Sequence, residues 1–182
     1  MAFPAFFDTN VLYGATVNDL LLWLADAGAF RPLWSADVIE ELRRNLVANG
    51  FVESTVENRI ATMVEYFPDA MVDGYEDLIE GMTCDPKDRH VLAAAVRANA
   101  EVLVTFNLKD FPPASTERFE IEVVHPDDFL MDQLDLFPGL TVATLEHLVE
   151  IYDSPAVTVE ELLQVLSRAG VPKFAQNALR FL

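Results

Sequence analysis

The sequence predicts an α/β fold: a mostly parallel sheet with helices over its faces, followed by a small C-terminal helical extension. Strand-like and helix-like segments alternate as far as residue 136, the pattern of parallel strands joined by crossover helices. From Pro138 onward the periodicity is helical only, which divides the chain into residues 1–137 and residues 138–182. The chain has 182 residues, 52% of them apolar, enough to fill one sizeable core.

The apolar run PAFF makes residues 3–8 a short buried strand that ends on Asp8. Residues 18–27 form a helix closed by Gly28, and residues 31–34 a second strand. Ser35 offers an N-cap for a helix over residues 36–49, stopped by Gly50. Ser54 caps the next helix, which runs to Phe67 and stops at Pro68. Asp85-Pro86 opens another, because Asp is a good N-cap and Pro suits the first helical position. Residues 102–105 and 121–124 read as strands, the second leading through Pro126 to a helix over residues 127–136. The extension holds helices over residues 140–152, 158–169 and 172–181. Pro138-Gly139, Asp153-Ser154-Pro155 and Gly170-Val171-Pro172 mark its joints.

Thirty acidic against twelve basic side chains give a formal net charge of −18. Such a surface repels polyphosphates, so a nucleic-acid role needs metal ions, local basic groups or a partner. Cys84 is the only cysteine, which excludes an intrachain disulfide and a cysteine zinc site and fits a reducing cytoplasm. The N-terminus reaches Asp8 too soon for a signal peptide and lacks a basic start. The LLLWLA run between Asp19 and Asp26 is far short of the ~20 residues of a membrane-spanning helix. These features predict a soluble cytoplasmic protein with no membrane partner.

Asp8 sits at the carboxyl end of a strand, the edge where open α/β sheets bind ligands. Asn107 and Asp110 follow the strand over residues 102–105 at a similar edge, although both types are also ordinary turn residues. In the helix opened by Pro86, the arc of Val91, Leu92, Ala95 and Val96 is centred near Asp88, which turns its carboxylate inward. An ionised group there needs a cation or donors. The plain alternative is a capping pair, with Asp85 at the N-cap and Asp88 three residues on. Glu41 lies at the margin of the stripe Val38, Ile39, Leu42 and Leu46, whereas Glu40 turns to solvent with Arg43 or Arg44 as partner.

Carboxylates from separate elements that meet at one edge repel one another unless a cation joins them. Without a His or Cys cluster, the donor set suits Mg²⁺ or Mn²⁺ rather than zinc. His90, His125 and His147 read as structural or solvated. Arg43, Arg44, Lys87, Arg89 and Lys109 flank the candidate segments as a possible cationic rim, and Phe106 and Phe111 are the aromatics beside them. No Gly-rich phosphate loop or G-x-S-x-G elbow is present.

Four motifs then occur in a recognisable order: DTN after the first strand, the glutamates of SADVIEELRRNL, DRHVLAAAV, and VTFNLKDFP leading to VVHPDDFL. Together they resemble the PIN domain, and more narrowly the VapC-type ribonucleases of bacterial toxin–antitoxin systems, over residues 3–135. The resemblance implies a PIN-like α/β/α sandwich that cleaves RNA phosphodiesters with Mg²⁺ or Mn²⁺. It places Asp8, Glu41 and Asp88 at the core catalytic and metal-ligand positions and Asp110 as a fourth acidic contributor. Asn10, Thr105 and Asn107 support them, and Asp85 and Glu40 are the lesser candidates. Position 107 departs from the pattern: many PIN nucleases carry Asp there, and a neutral amide weakens a second metal site. The resemblance also implies a cognate antitoxin and a homodimer. The competing functions are a catalytically silent PIN-like protein-binding module and a metal-dependent DNA nuclease of the same fold.

Overall fold

The structure, a computed structural model, describes residues 2–152 and 155–182, so the joint expected at Asp153 and Ser154 lies outside the described residues. Strands β1 (Pro4–Phe7), β2 (Arg31–Ser35), β3 (Met71–Val72), β4 (Val102–Val104) and β5 (Glu122–Val124) form one sheet in the order β3-β2-β1-β4-β5. Every pairing is parallel. The chain winds outward from β1 through β2 to β3, then returns to the other side of β1 to lay down β4 and β5. The order therefore reverses between β1 and β4, the switch point at whose carboxyl ends open α/β sheets bind ligands. Asp8 and Thr105 are the first residues past those two ends, and the Asp8 N–H still donates to the Val104 carbonyl at 3.1 Å.

The short connection after β1 is helical. Helix α1 (Thr9–Tyr13) starts on the Asp8 carboxylate, which accepts the Thr9 N–H. Helix α2 (Ala15–Asp26) follows Gly14 and starts three residues earlier than its periodicity suggested. Helix α3 (Ala36–Ala48) begins as expected, with the Ser35 hydroxyl accepting the Val38 N–H at 3.3 Å. Ser54, by contrast, caps nothing. Helix α4 (Glu53–Tyr66) has Val52 at its N-cap with no side-chain bond, which places Ser54 inside the first turn. Pro86 opens a 3-10 turn, Pro86–Asp88, and α5 (Arg89–Arg97) begins only after it, with Asp88 at its N-cap.

Alternation along β1 sets the two faces of the sheet. Phe7 meets Phe30 at 5.6 Å and, edge-on at 5.7 Å, Phe129 of α7 (Pro126–Leu136), which follows the one-turn α6 (Pro113–Thr116). Phe6 points the opposite way and is fully buried. The last three helices are α8 (Pro138–Ile151), α9 (Val159–Arg168) and α10 (Pro172–Ala178). They pack on α2 and α7. The Tyr152 hydroxyl donates to the Asp19 carboxylate, and the His147 ring meets Trp23 edge-on at 4.3 Å. No helix among the described residues is long and apolar enough to cross a membrane.

Asp127 fastens this unit. Its buried carboxylate accepts the Lys173 N–H at 3.0 Å and the Phe174 N–H at 2.8 Å, two first-turn amides of α10 that have no partner within the helix. Asp127→Ala should leave both unsatisfied, one of them deeply buried, and lower stability by about 2 kcal/mol. For a chain of this length that is a fall in Tm of roughly 4–8 °C, read by thermal denaturation; an unchanged Tm would show that the bonds do not hold α10.

A candidate metal centre at the sheet switch point

Asp8 is buried at the β1–β4 seam and tied there by three donors. Oδ1 accepts the Thr9 N–H at 2.7 Å, while Oδ2 accepts the Asn10 amide at 2.7 Å and the Thr105 hydroxyl at 2.7 Å. Asn10 also donates to the Thr105 hydroxyl at 3.1 Å, and its Oδ1 accepts the Phe106 N–H at 3.0 Å. A carboxylate offers about four lone-pair sites, so roughly one remains for an external ligand. Burial raises the Asp8 pKa above its ordinary value, the Thr105 and Thr9 bonds oppose that rise, the Glu41 charge adds to it, and His90 reduces it.

Beside Asp8 lies a second group of carboxylates. One oxygen each of Asp85, Asp88 and Asp110 falls within 4.8 Å of the others. The backbone brings them together: the Asp85 N–H donates to the Asp110 carbonyl at 3.0 Å, and the Asp88 N–H to the Asp85 carbonyl at 2.9 Å. Asp85 also accepts the Lys87 N–H at 3.1 Å, which shapes the turn that presents Asp88. Oδ2 of Asp88 and Oδ2 of Asp110 are buried without a hydrogen-bond partner, and the nearest cation is the Lys87 ammonium, 3.5 Å from Asp110. Unpartnered buried anionic oxygens are costly. The Asp88 carboxyl is accordingly pushed up to about 7, first by burial and then by the charge of Asp8, against a lowering by Lys87.

Glu41 closes the other flank. Its Oε2 accepts the Thr9 hydroxyl at 3.2 Å and lies 3.8 Å from His90 Nε2. The arrangement thus gathers Asp8, Glu41, Asp88, Asp110 and Asp85 around one edge, with Asn10 and Thr105 holding Asp8. The Asn107 side chain is exposed, and its backbone N–H donates to the Thr105 hydroxyl at 3.1 Å. Glu40 is not part of the group: it is exposed and bonded to Arg43, which Glu57 also holds at 2.6 Å. Arg43 is therefore withdrawn from the expected cationic rim. Phe111 is a core residue, 2% exposed, rather than an aromatic of the site.

His90 and Thr9 were not legible as site residues. His90 lies in the first turn of α5, opposite its apolar arc, and meets Glu41 of α3 by a tertiary contact that the helix pattern alone does not carry. Among the described residues, four of the eight side chains with a buried unpartnered polar atom, Asp88, Arg89, His90 and Asp110, lie in this neighbourhood. The roomier apolar clefts, such as one of about 500 Å³ between α2 and α4 lined by Trp23, Arg59 and Met63, are elsewhere. An open edge of oxygen donors, not an apolar cavity, is what this site offers, and the absence of cysteine or clustered imidazole in it fits a hard divalent cation.

A parallel α/β domain with a carboxylate centre at its strand switch point is the class defined so far. The chain belongs to the PIN domain family, whose family model matches residues 4–109. A second model, the VapC50 C-terminal domain, matches residues 126–180 and so takes in α7 together with the last three helices. The chain is also similar to a Mycobacterium tuberculosis protein described as "Putative ribonuclease VapC50", with 50% identity over 107 residues. That match covers 59% of this chain and 63% of the relative's length, less than two thirds of it. No solved structure matches the chain. The family and its VapC-like branch are those the motifs implied.

The raised Asp88 pKa sets a pH dependence for the metal-free protein. The folded state binds a proton at Asp88 more tightly than the unfolded chain, from 3.8 up to about 7, so this contribution is fully present below pH 3.8 and is lost as pH rises through 7. With chelator, Asp88→Asn should match wild type near pH 4. At pH 8 it should melt higher by roughly 2–4 °C, or about 1 kcal/mol once solvent screening of a half-exposed group is discounted. A variant that melts lower at pH 8 would contradict this account of Asp88.

Proposed function

We propose that the protein is a metal-dependent endoribonuclease that hydrolyses RNA phosphodiester bonds, and that it is the toxin of a toxin–antitoxin pair. The observation that carries this reading is the meeting of the Asp85, Asp88 and Asp110 carboxylates beside Asp8 at one sheet edge, with an oxygen of Asp88 buried and unpartnered. Mg²⁺ or Mn²⁺ would be held by Asp8, Asp88 and Asp110, with Glu41 and Asp85 on the flanks. When bound, such an ion polarises the phosphodiester and lowers the pKa of the attacking water.

The side chains supply placement and proton acceptance. Three donors lock Asp8 into one orientation, so little reorganisation is needed when substrate arrives. Glu41, steadied by the Thr9 hydroxyl, is the carboxylate best placed to accept a proton from the water. Lys87, Arg89 and Lys109 stand on the segments that bear the ligands and give the phosphates a local cationic approach. No side chain has to act as a nucleophile. A cognate antitoxin would silence the centre by inserting a basic side chain among these oxygens. An RNA substrate and such a partner would both be met in the cytoplasm.

Calorimetric titration with Mn²⁺, paired with incubation of structured RNA and of DNA in metal or chelator, tests the proposal. Wild type should bind Mn²⁺ saturably and cleave RNA only with metal. Asp88→Asn should lose on the order of 100-fold or more in both affinity and rate, since even supporting residues cost 10–100-fold. A folded wild type that neither binds Mn²⁺ nor cleaves would point to the silent binding module, and preferential cleavage of DNA to the DNA nuclease.

A further inference from the structure

Gly170 follows the last turn of α9 with a φ of +105°, and the Val171 N–H closes the helix end onto the Leu166 carbonyl at 3.2 Å. Gly28, Gly50 and Gly74 share a positive φ, but a Cβ on any of them would have nothing within 4 Å. A Cβ on Gly170 would lie 2.8 Å from Cε1 and 3.4 Å from Cζ of Phe106. Gly170 is thus fixed by a close approach as well as by its backbone, and what it approaches is the residue after Thr105.

Phe106 is held on a second side by His125, whose ring meets it edge-on at 5.1 Å. His125 Nδ1 accepts the N–H of Asp127, the residue whose carboxylate fastens α10. The Phe106 N–H, in turn, donates to Asn10 Oδ1, and Asn10 donates to Asp8 and to Thr105. One ring therefore sits between the C-terminal helices and the network that orients Asp8.

We infer that the C-terminal helices brace the acidic centre through Gly170 and Phe106, which act as positioning residues for the Asp8 carboxylate. The Phe106 and Asn107 N–H groups are aimed at Asn10 and Thr105, so pressure on the Phe106 ring would move both donors together. The 138–182 segment is then a working part of the centre. Its effect on metal binding rests on the function proposed above, whereas the contact itself does not.

Two readouts on the full chain separate these. The first is amide hydrogen exchange of Phe106 and Asn107 in metal-free protein; the second is the Mn²⁺ dissociation constant by calorimetry. Gly170→Ala should speed exchange at both amides and weaken Mn²⁺ binding by about 2- to 30-fold, the range of coupling through packed neighbours. Adding Phe106→Leu, which frees space for the new Cβ, should recover part of both losses. Gly28→Ala carries comparable backbone strain with no neighbour, and should lower Tm without changing either readout.

Unchanged exchange in Gly170→Ala would overturn the brace, and so would faster exchange with wild-type Mn²⁺ affinity or a double variant no better than the single one. Should Gly170→Ala fail to fold, Phe106→Ala keeps the backbone donor and removes the ring; wild-type protection and affinity in that variant would also overturn it. A wild type that binds no Mn²⁺ sinks the proposed function, and the exchange arm then decides the brace alone.

Discussion

Negative charge gathered where the sheet reverses its order is the constraint on which the rest of the structure depends. Asp8 must follow β1 to reach the switch point, and burial there demands the donors supplied by Thr9, Asn10 and Thr105. Those donors come from α1 and from the end of β4, so the β1–β4 pairing is a condition of the site as much as of the sheet. Asp88 and Asp110 receive no such treatment: Oδ2 of each is buried without a hydrogen bond, and that of Asp110 has only the Lys87 ammonium at 3.5 Å. Two neighbouring sets of carboxylates are thus held differently: Asp8 is oriented by three donors with roughly one acceptor site left, while the 85–110 group is left more open to a cation from outside.

Little within the chain can fill that role. The net charge is −18, and Arg43, on the helix that bears Glu41, is already engaged by Glu40 and Glu57. Lys87 alone reaches the cluster, and it is an exposed, mobile-stemmed ammonium 3.5 Å from a single oxygen of Asp110. A monovalent charge at that distance lowers the Asp88 pKa without cancelling what burial and Asp8 raise. The geometry is that of a centre whose resting charge balance is incomplete, which is what a reversible divalent site requires.

Most of the fold was legible because its long elements announce themselves by apolar runs between turn residues. β1, β2, β4 and β5 match the expected strands, and α3 begins on the expected Ser35 cap. β3 and α1, with two and five residues, are too short to carry a period. Ser54 misled because cap preference is a weak signal against tertiary packing: the buried stripe Val56, Ile60 and Met63 sets where α4 lies, and its first turn already includes Glu53. Asp8 and Asp110 stand at the strand ends and Glu41 at the stripe margin where they were expected, whereas Asp88 lies in a 3-10 turn before α5, so the continuous-helix argument that turned it inward does not hold. Asp85 does cap the turn it opens, but its place beside Asp88 and Asp110 depends on a 3-10 turn that residue types alone do not distinguish from the start of an α-helix, and His90 meets Glu41 only through the packing of α5 beside α3.

The same charge that shapes the centre governs how a polyanion could approach it. A strongly acidic surface gives no long-range attraction to RNA, so association must rely on the few basic groups beside the ligands. Among the described residues, Arg44, Arg89 and Lys109 make no ion pair with a carboxylate, and Arg89 and Lys109 lie within two residues of Asp88 and Asp110. A divalent ion at the proposed centre would then serve recognition as well as chemistry, because it changes the sign of the local field at the point where a phosphate must bind. Selectivity would come from which phosphodiester can be presented to so small a cationic spot within an acidic surround. On the proposed reading, that would favour exposed loops and ends of a folded RNA over a smooth duplex, whose neighbouring phosphates would be repelled on both sides.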